Sequence, residues 1–113
     1  MTETPVLTLR TEIDGDVRIV RCSGKLTSRV SGLLHAEVKP LIPNAKKIVL
    51  DLSDLTFMDS MGLGTIVTLY VSSRAAGCQL ELINLSRRMR DLFTIAHLLS
   101  LFEPCGEVDT PII

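Results

Sequence analysis

The run Leu50-Asp51-Leu52-Ser53-Asp54-Leu55-Thr56-Phe57-Met58-Asp59-Ser60-Met61-Gly62-Leu63-Gly64 holds the residues whose types and spacing could do chemistry. An apolar strand leads through a connection into a helix, and Ser60 stands at the junction. The first N–H groups of a helix lack internal partners, and the helix dipole adds partial positive charge there. A serine hydroxyl at that point can cap the helix. The glycines at 62 and 64 leave room for another backbone or an anion to come close. Read as structure only, Ser60 is a cap, Asp59 a loop residue and the glycines packing aids. Read for function, Met58 and Met61 form a soft apolar rim around a serine, the adaptable surface that partners use. A phosphate on Ser60 would add about −1.5 to −2 charge. Beside Asp59 and inside an apolar contact it would break an interface, while the helix N-terminus would tolerate it.

Rival chemistries find less support. A nucleophile elbow needs G-x-S-x-G, and Met58 stands at the first glycine position. The histidines, His35 and His97, are read as a residue on the polar side of a helix and one at a helix end. Gly62-Leu63-Gly64 is neither G-x-G-x-x-G nor a G-K-[ST] loop. Arg87, Arg88 and Arg90 form a basic cluster that is either a solvated face, a contact for an acidic patch on a partner, or a contact with a phosphate held nearby.

Composition narrows the class further. The 113 residues carry 12 Lys+Arg and 13 Asp+Glu, a net charge of −1, which argues against a nucleic-acid binder. One domain over residues 1–113 is expected, and a chain of this size buries roughly two-thirds of its unfolded surface without disulfides or metals. Hydrophobic residues are 46% and charged residues 22%, with a mean hydropathy of +0.34. That calls for dense burial or an apolar contact surface. No stretch is long enough to span a membrane, and the N-terminus lacks a signal-peptide layout. Cys22, Cys78 and Cys105 show no CxxC spacing and are expected to be core thiols in a reducing compartment.

The elements that must position Ser60 follow from periodicity. Val6–Ile13 alternates, with Leu7, Leu9 and Ile13 on one side, and Val17–Cys22 follows an Asp14-Gly15 hairpin signal. Ser28–Leu41 has helical spacing at Val30, Leu33, Leu34, Val38 and Leu41, with Ser28 as its cap. Ile48–Leu52 reads as a strand covered on both faces. The stretch 53–59 reads as a connection. The next helix shows a face of Leu63, Ile66, Val67, Tyr70 and Val71, ended by Gly77. Cys78–Ile83 is a strand. Ser86 caps a third helix with Met89, Leu92, Phe93 and Ala96 inward, and Leu98–Phe102 is a last short strand. The alternation predicts an α/β fold with a mixed sheet and right-handed crossovers.

The segment IVLDLSDLTFMDSMGLG resembles the signature of STAS domains, in particular bacterial anti-sigma factor antagonists. VRIVRCSGKL (Val17–Leu26) resembles the family's second strand. GCQLELINL (Gly77–Leu85) and the run Arg88–Phe102 resemble its later elements, so the likeness extends along nearly the whole chain. It implies a STAS fold: a mixed four- to six-stranded β-sheet flanked by three to four α-helices. It implies that Ser60 is the serine a partner kinase phosphorylates. That kinase is an anti-sigma factor with an ATPase fold, and a PP2C-type phosphatase reverses the step. The implied protein is no enzyme and holds no cofactor or metal; it is expected to contact no nucleic acid directly, to insert in no membrane and to be cytoplasmic, with a weak dimer left open because the sequence is silent on oligomeric state. The contact surface expected is Met58, Asp59, Ser60, Met61 and Gly62 with Lys25, Thr27 and Ser28. The family's usual Asp after its G-E/R-L stretch is Thr27 here, Lys25 replaces the acidic or Arg residue, Met61 stands where Ser or Thr is common, and His97 where Gly is frequent. The same family also supplies scaffold subunits of stress-sensing complexes and accessory subunits of lipid or anion transporters. An intact phosphoacceptor at Ser60 favours the switch over these.

Overall fold

The computed structural model describes residues 6–95. Strand β1 (Leu7–Asp14) turns through Gly15-Asp16 into β2 (Val17–Leu26), with Asp14 paired to Val17. Gly15, at the first of the two turn positions, takes φ +60, which a side chain would resist. Helix α1 (Ser31–Val38) follows, then a 3-10 segment over Lys39–Asn44. Strand β3 (Lys47–Met58), helix α2 (Ser60–Ala75), strand β4 (Gln79–Ile83) and helix α3 (Arg87–Ile95) complete the order. The sheet runs β1-β2-β3-β4, antiparallel between β1 and β2 and parallel thereafter. This is a mixed α/β architecture of four strands and three helices. The expected last strand at Leu98–Phe102, Ala96, His97 and Cys105 lie outside the described residues.

One face of the sheet builds the core. Val20, Cys22, Ile48, Leu50, Leu52, Leu80 and Leu82 are buried there with Leu34 and Val38 of α1, Ile66 and Leu69 of α2, and Met89 and Phe93 of α3. Burial pushes the Cys22 thiol up to about 12, with the Asp51 charge adding to it, so this cysteine is an unreactive core group.

Several expectations are corrected. The first helix begins at Ser31, not Ser28, and stops at Val38 because Pro40 has no N–H to continue the α ladder. Its N-cap is Val30 with no side-chain bond, so Ser28 is not the cap. The stretch 53–58 is strand, not connection, because the far half of β2 runs alongside it, pairing through Leu26 and Met58. The core face of α2 is Gly62, Leu63, Ile66, Leu69 and Ser73, and Val71 is 59% exposed. Ile13, beside the hairpin turn at the end of β1, is 70% exposed and Leu33 of α1 is 52% exposed, not core.

Two local predictions hold in detail. Gly77 (φ +76) follows α2, with its N–H on Arg74 O (3.1 Å) and the Cys78 N–H on Ser73 O (2.8 Å), a Schellman ending. Ser86 Oγ accepts the Met89 N–H at 3.2 Å and caps α3.

Candidate functional site

The site forms where β2 and β3 end together. Beyond the last ladder pair, the Asp59 N–H donates to Leu26 O at 3.1 Å. Asp59 is extended (φ −99, ψ −176) and is the N-cap of α2. Its Oδ1 accepts the Gly62 N–H at 2.9 Å. Its Oδ2 accepts the Ser28 N–H, also at 2.9 Å. These backbone donors, Gly62 first and Ser28 next, hold the Asp59 carboxyl below the usual aspartate value. One carboxylate therefore joins the start of α2 to the turn ahead of α1. In that turn Thr27 O accepts the N–H groups of Val30 (3.0 Å) and Ser31 (2.8 Å).

Glycine at 62 is required by a close approach. A Cβ there would stand 2.4 Å from Leu26 O, 2.8 Å from Leu26 Cγ and 3.0 Å from Met58 Cγ. The first turn of α2 thus rests directly on the end of β2. At Gly64 a Cβ would meet nothing within 4 Å.

Ser60 is the first residue of α2 and is exposed. The capping task falls to Asp59, which corrects the expectation that Ser60 is the cap. No hydrogen bond of the Ser60 hydroxyl is found among the described residues. Among these residues the hydroxyl has no partner, at the positive end of a helix dipole.

The remaining expected residues divide. Lys25 and Ser28 are exposed, Thr27 and Asp59 are partly covered, and Met61 is 58% exposed. Met58 is only 4% exposed and belongs to the core cluster, so it does not form the rim. The inward turn of β3 at its last residue puts it there. Gly62 is buried against Leu26 and offers no contact surface of its own. Phe57, 41% exposed and paired in the ladder with Lys25, takes the place given to Met58.

A groove between α1 and α2 was not foreseen from the sequence. It encloses about 310 Å3 and is lined by Ser31, Gly32 and His35 on one side and Met61, Gly64, Thr65 and Thr68 on the other. The available signal was the small or hydroxylated residues at i, i+4 spacing on α2. Thr65 and Thr68 turn their hydroxyls back onto Met61 O (3.0 Å) and Gly64 O (2.9 Å), presenting methyl groups instead. His35 is half-buried in this groove and not on a solvated helix side.

Farther along the sheet, Asp51 is 8% exposed. Its Oδ1 accepts from Asn84 Nδ2 and the Ser53 N–H, each at 3.0 Å, and its Oδ2 meets Arg21 Nε at 3.4 Å. Burial pushes this carboxyl up, but the bonds from Asn84, Ser53 and Arg21 outweigh it and hold it below the ordinary value. Asn84, at φ +59, is the one described non-glycine residue with positive φ, and its bond to Asp51 fixes the bend from β4 toward α3. Because β4 ends level with Asp51, the exposed Arg87 and Arg88 follow a strand end well short of Ser60. No cluster of three or more His, Cys, Asp or Glu fit for a metal is found among the described residues. Nor, among these residues, is any helix long and apolar enough to cross a membrane.

Residues 8–110 match the STAS domain family model, and the chain belongs to that family. It is 30% identical over 84 residues to the anti-sigma-B factor antagonist of Bacillus subtilis (strain 168), covering 74% of this chain and 77% of that protein. Its fold is similar to that of an anti-sigma factor antagonist from Mycobacterium paratuberculosis, with a TM-score of 0.80 at 19% identity over 91% of this chain and 88% of the other. It is also similar to the anti-sigma factor antagonist SpoIIAA in its unphosphorylated form (TM-score 0.71, 22% identity, 80% and 82% of the chains). The Bacillus SpoIIAA in phosphorylated form gives 0.68 at 23% identity, covering 80% and 85%.

Proposed function

We propose that this chain is an anti-sigma factor antagonist switched by phosphorylation of Ser60. The observation that carries the reading is the Ser60 hydroxyl itself, exposed at the first position of α2 while Asp59 does the capping. A serine spared from holding the fold can be modified without unfolding it. The added charge of about −1.5 to −2 falls beside the Asp59 carboxylate and the exposed Met61 and Phe57. Those apolar side chains are where a partner would be desolvated, so the phosphate repels the partner and leaves the domain intact.

The unphosphorylated face binds an anti-sigma factor that is also an ATPase-fold serine kinase. Its contacts are Lys25, Thr27, Ser28, Ser60, Met61 and Phe57, with the α1–α2 groove beside them. A PP2C-type phosphatase restores the binding form. The chain works in the cytoplasm as one domain over residues 1–113, by binding and not by catalysis, and without a cofactor. The family relatives named anti-sigma factor antagonists support this role, and a SpoIIAA structure in phosphorylated form supports the switch.

Intact-mass spectrometry of the protein from its native cells, with peptide mapping, tests this directly. One phosphate confined to Ser60 is expected. No modification across growth conditions would overturn the switch and favour a constitutive scaffold role. Ser60→Asp is expected to fold normally and lose kinase binding, and Ser60→Ala to bind constitutively.

A further inference from the structure

Strand β1 is the long open edge of the sheet. It spans Leu7–Asp14, pairs only with β2 among the described strands, and has no strand along its outer side among the described residues. Open edges present unpaired N–H and C=O groups and are templates for further pairing. This edge also carries two side chains without a local solution. Ile13 is 70% exposed. Arg10 is exposed and lies across the ladder from Arg21, a like charge. Arg21 already meets Glu12 at 2.6 Å and Asp51 at 3.4 Å, and Arg10 has no ion pair among the described residues.

We infer that β1 pairs antiparallel with β1 of a second copy about a two-fold axis at Thr11, extending the four-stranded sheet to eight strands. The residue order selects that register. A two-fold axis normal to the sheet brings together residues of the same face, so the partner positions add to an even number. Centred on Thr11, Arg10 of each copy faces Glu12 of the other, and Leu9 of each faces Ile13 of the other. Centred on Arg10 or on Glu12, like charges would meet at the axis. Centred on Leu9, Ile13 would find no partner within the strand. Opposite charges and apolar pairs directly across an antiparallel ladder are favourable, and like charges are not. The Thr11 register thus supplies Arg10 with an acid, covers both copies of Ile13, and satisfies the edge backbone. Glu37 of α1, which accepts from Thr11 Oγ1 at 2.5 Å, brings a like charge near the axis and keeps the association weak. The inference does not depend on Ser60.

Sedimentation equilibrium of the full chain is the test, reading a concentration-dependent shift from 12.4 kDa toward twice that mass. Arg10→Glu puts like charges across both outer pairs and is expected to weaken the dimer about tenfold or more. Ile13→Lys should weaken it as well. Register is read by cysteine cross-linking in a Cys105→Ser background, where the buried Cys22 and Cys78 do not compete. Under copper–phenanthroline, Thr11→Cys should form the symmetric disulfide, because opposed Cα atoms across a ladder fall in disulfide range. Arg10→Cys, facing Glu12 of the other copy, should cross-link far less. A monomer at every concentration up to millimolar overturns the inference. A dimer indifferent to Arg10→Glu and Ile13→Lys, or equal cross-linking at positions 10 and 11, overturns it too.

Discussion

The start of α2 and the turn that leads into α1 share one carboxylate, yet the two helices begin in opposite ways. Helix α2 carries its own cap: Asp59 accepts the Gly62 N–H, and the Asp59 carbonyl accepts the Leu63 N–H at 3.0 Å. Helix α1 begins at Ser31, behind an N-cap (Val30) that makes no side-chain bond, and has no acidic residue in its first turn. What fixes the approach to α1 comes from the other helix, through Asp59 Oδ2 on the Ser28 N–H. The cap of α2 thus also anchors the turn that precedes the uncapped α1. The segment Thr27–Ser28 is thereby held beside Ser60, although 31 residues separate Ser28 from Asp59 in the chain.

The largest expected effect breaks the seat of α2. Gly62→Ala places a Cβ against Leu26 O and should cost about 1–3 kcal/mol in thermal or denaturant unfolding. Unchanged stability would mean that α2 does not rest on β2 as described.

Asp59→Ala comes next. It removes both bonds, so amide exchange at Ser28 and Gly62 should accelerate together while core amides such as Leu50 stay protected. Acceleration at Gly62 alone would show that the two helix starts are not coupled. Asp59→Asn keeps a capping oxygen and should restore Gly62 better than Ser28.

The same link has a pH dependence. Folding lowers the Asp59 pKa, so its contribution is present above the ordinary aspartate value of 3.8 and is lost as pH falls through the folded value below it. In an NMR titration the Ser28 and Gly62 amide shifts should move together at a midpoint under 3.8. Separate midpoints would contradict a shared carboxylate.

The small effects sharpen the contrast. Gly64→Ala meets no neighbour and should stabilise α2 by about 0.5–1 kcal/mol through helix propensity. A destabilised Gly64→Ala would show that the first two turns are equally crowded. Ser28→Ala should stay within about 0.5 kcal/mol of wild type, since only the Ser28 backbone is bound to Asp59. A larger loss would assign the Ser28 hydroxyl a role that its exposure does not show.

Legibility followed the range of the interaction that decides each feature. The Asp14-Gly15 hairpin, the Gly77 ending and the Ser86 cap are settled by bonds within a few residues, and each was readable. The second half of β3 was not. Ser53, Asp54, Thr56 and Phe57 are all exposed, so the apolar signal of the first half fades there. Only the neighbouring stretch of β2, with irregularities after Arg21 and after Gly24, makes it strand. The reading of Met58 as rim and of 53–59 as connection failed for one reason, since strand parity at 57 and 58 depends on that pairing. On α2, Leu69 is fully buried and Val71 is not, because the helix is turned by its seat on Leu26 and by α1 beside it. Apolar spacing alone offered both faces.

The sequence by itself determined the family, the α/β order of elements and the serine at the strand-to-helix junction, because these rest on motif, periodicity and short-range turn chemistry. Tertiary structure alone decided which of two adjacent capping residues does the capping. Asp and Ser are both preferred caps, and local propensity cannot separate Asp59 from Ser60. The choice is made by Leu26 O, which takes the Asp59 N–H, and by the Ser28 N–H, which gives the carboxylate a second partner that the chain brings in from far away.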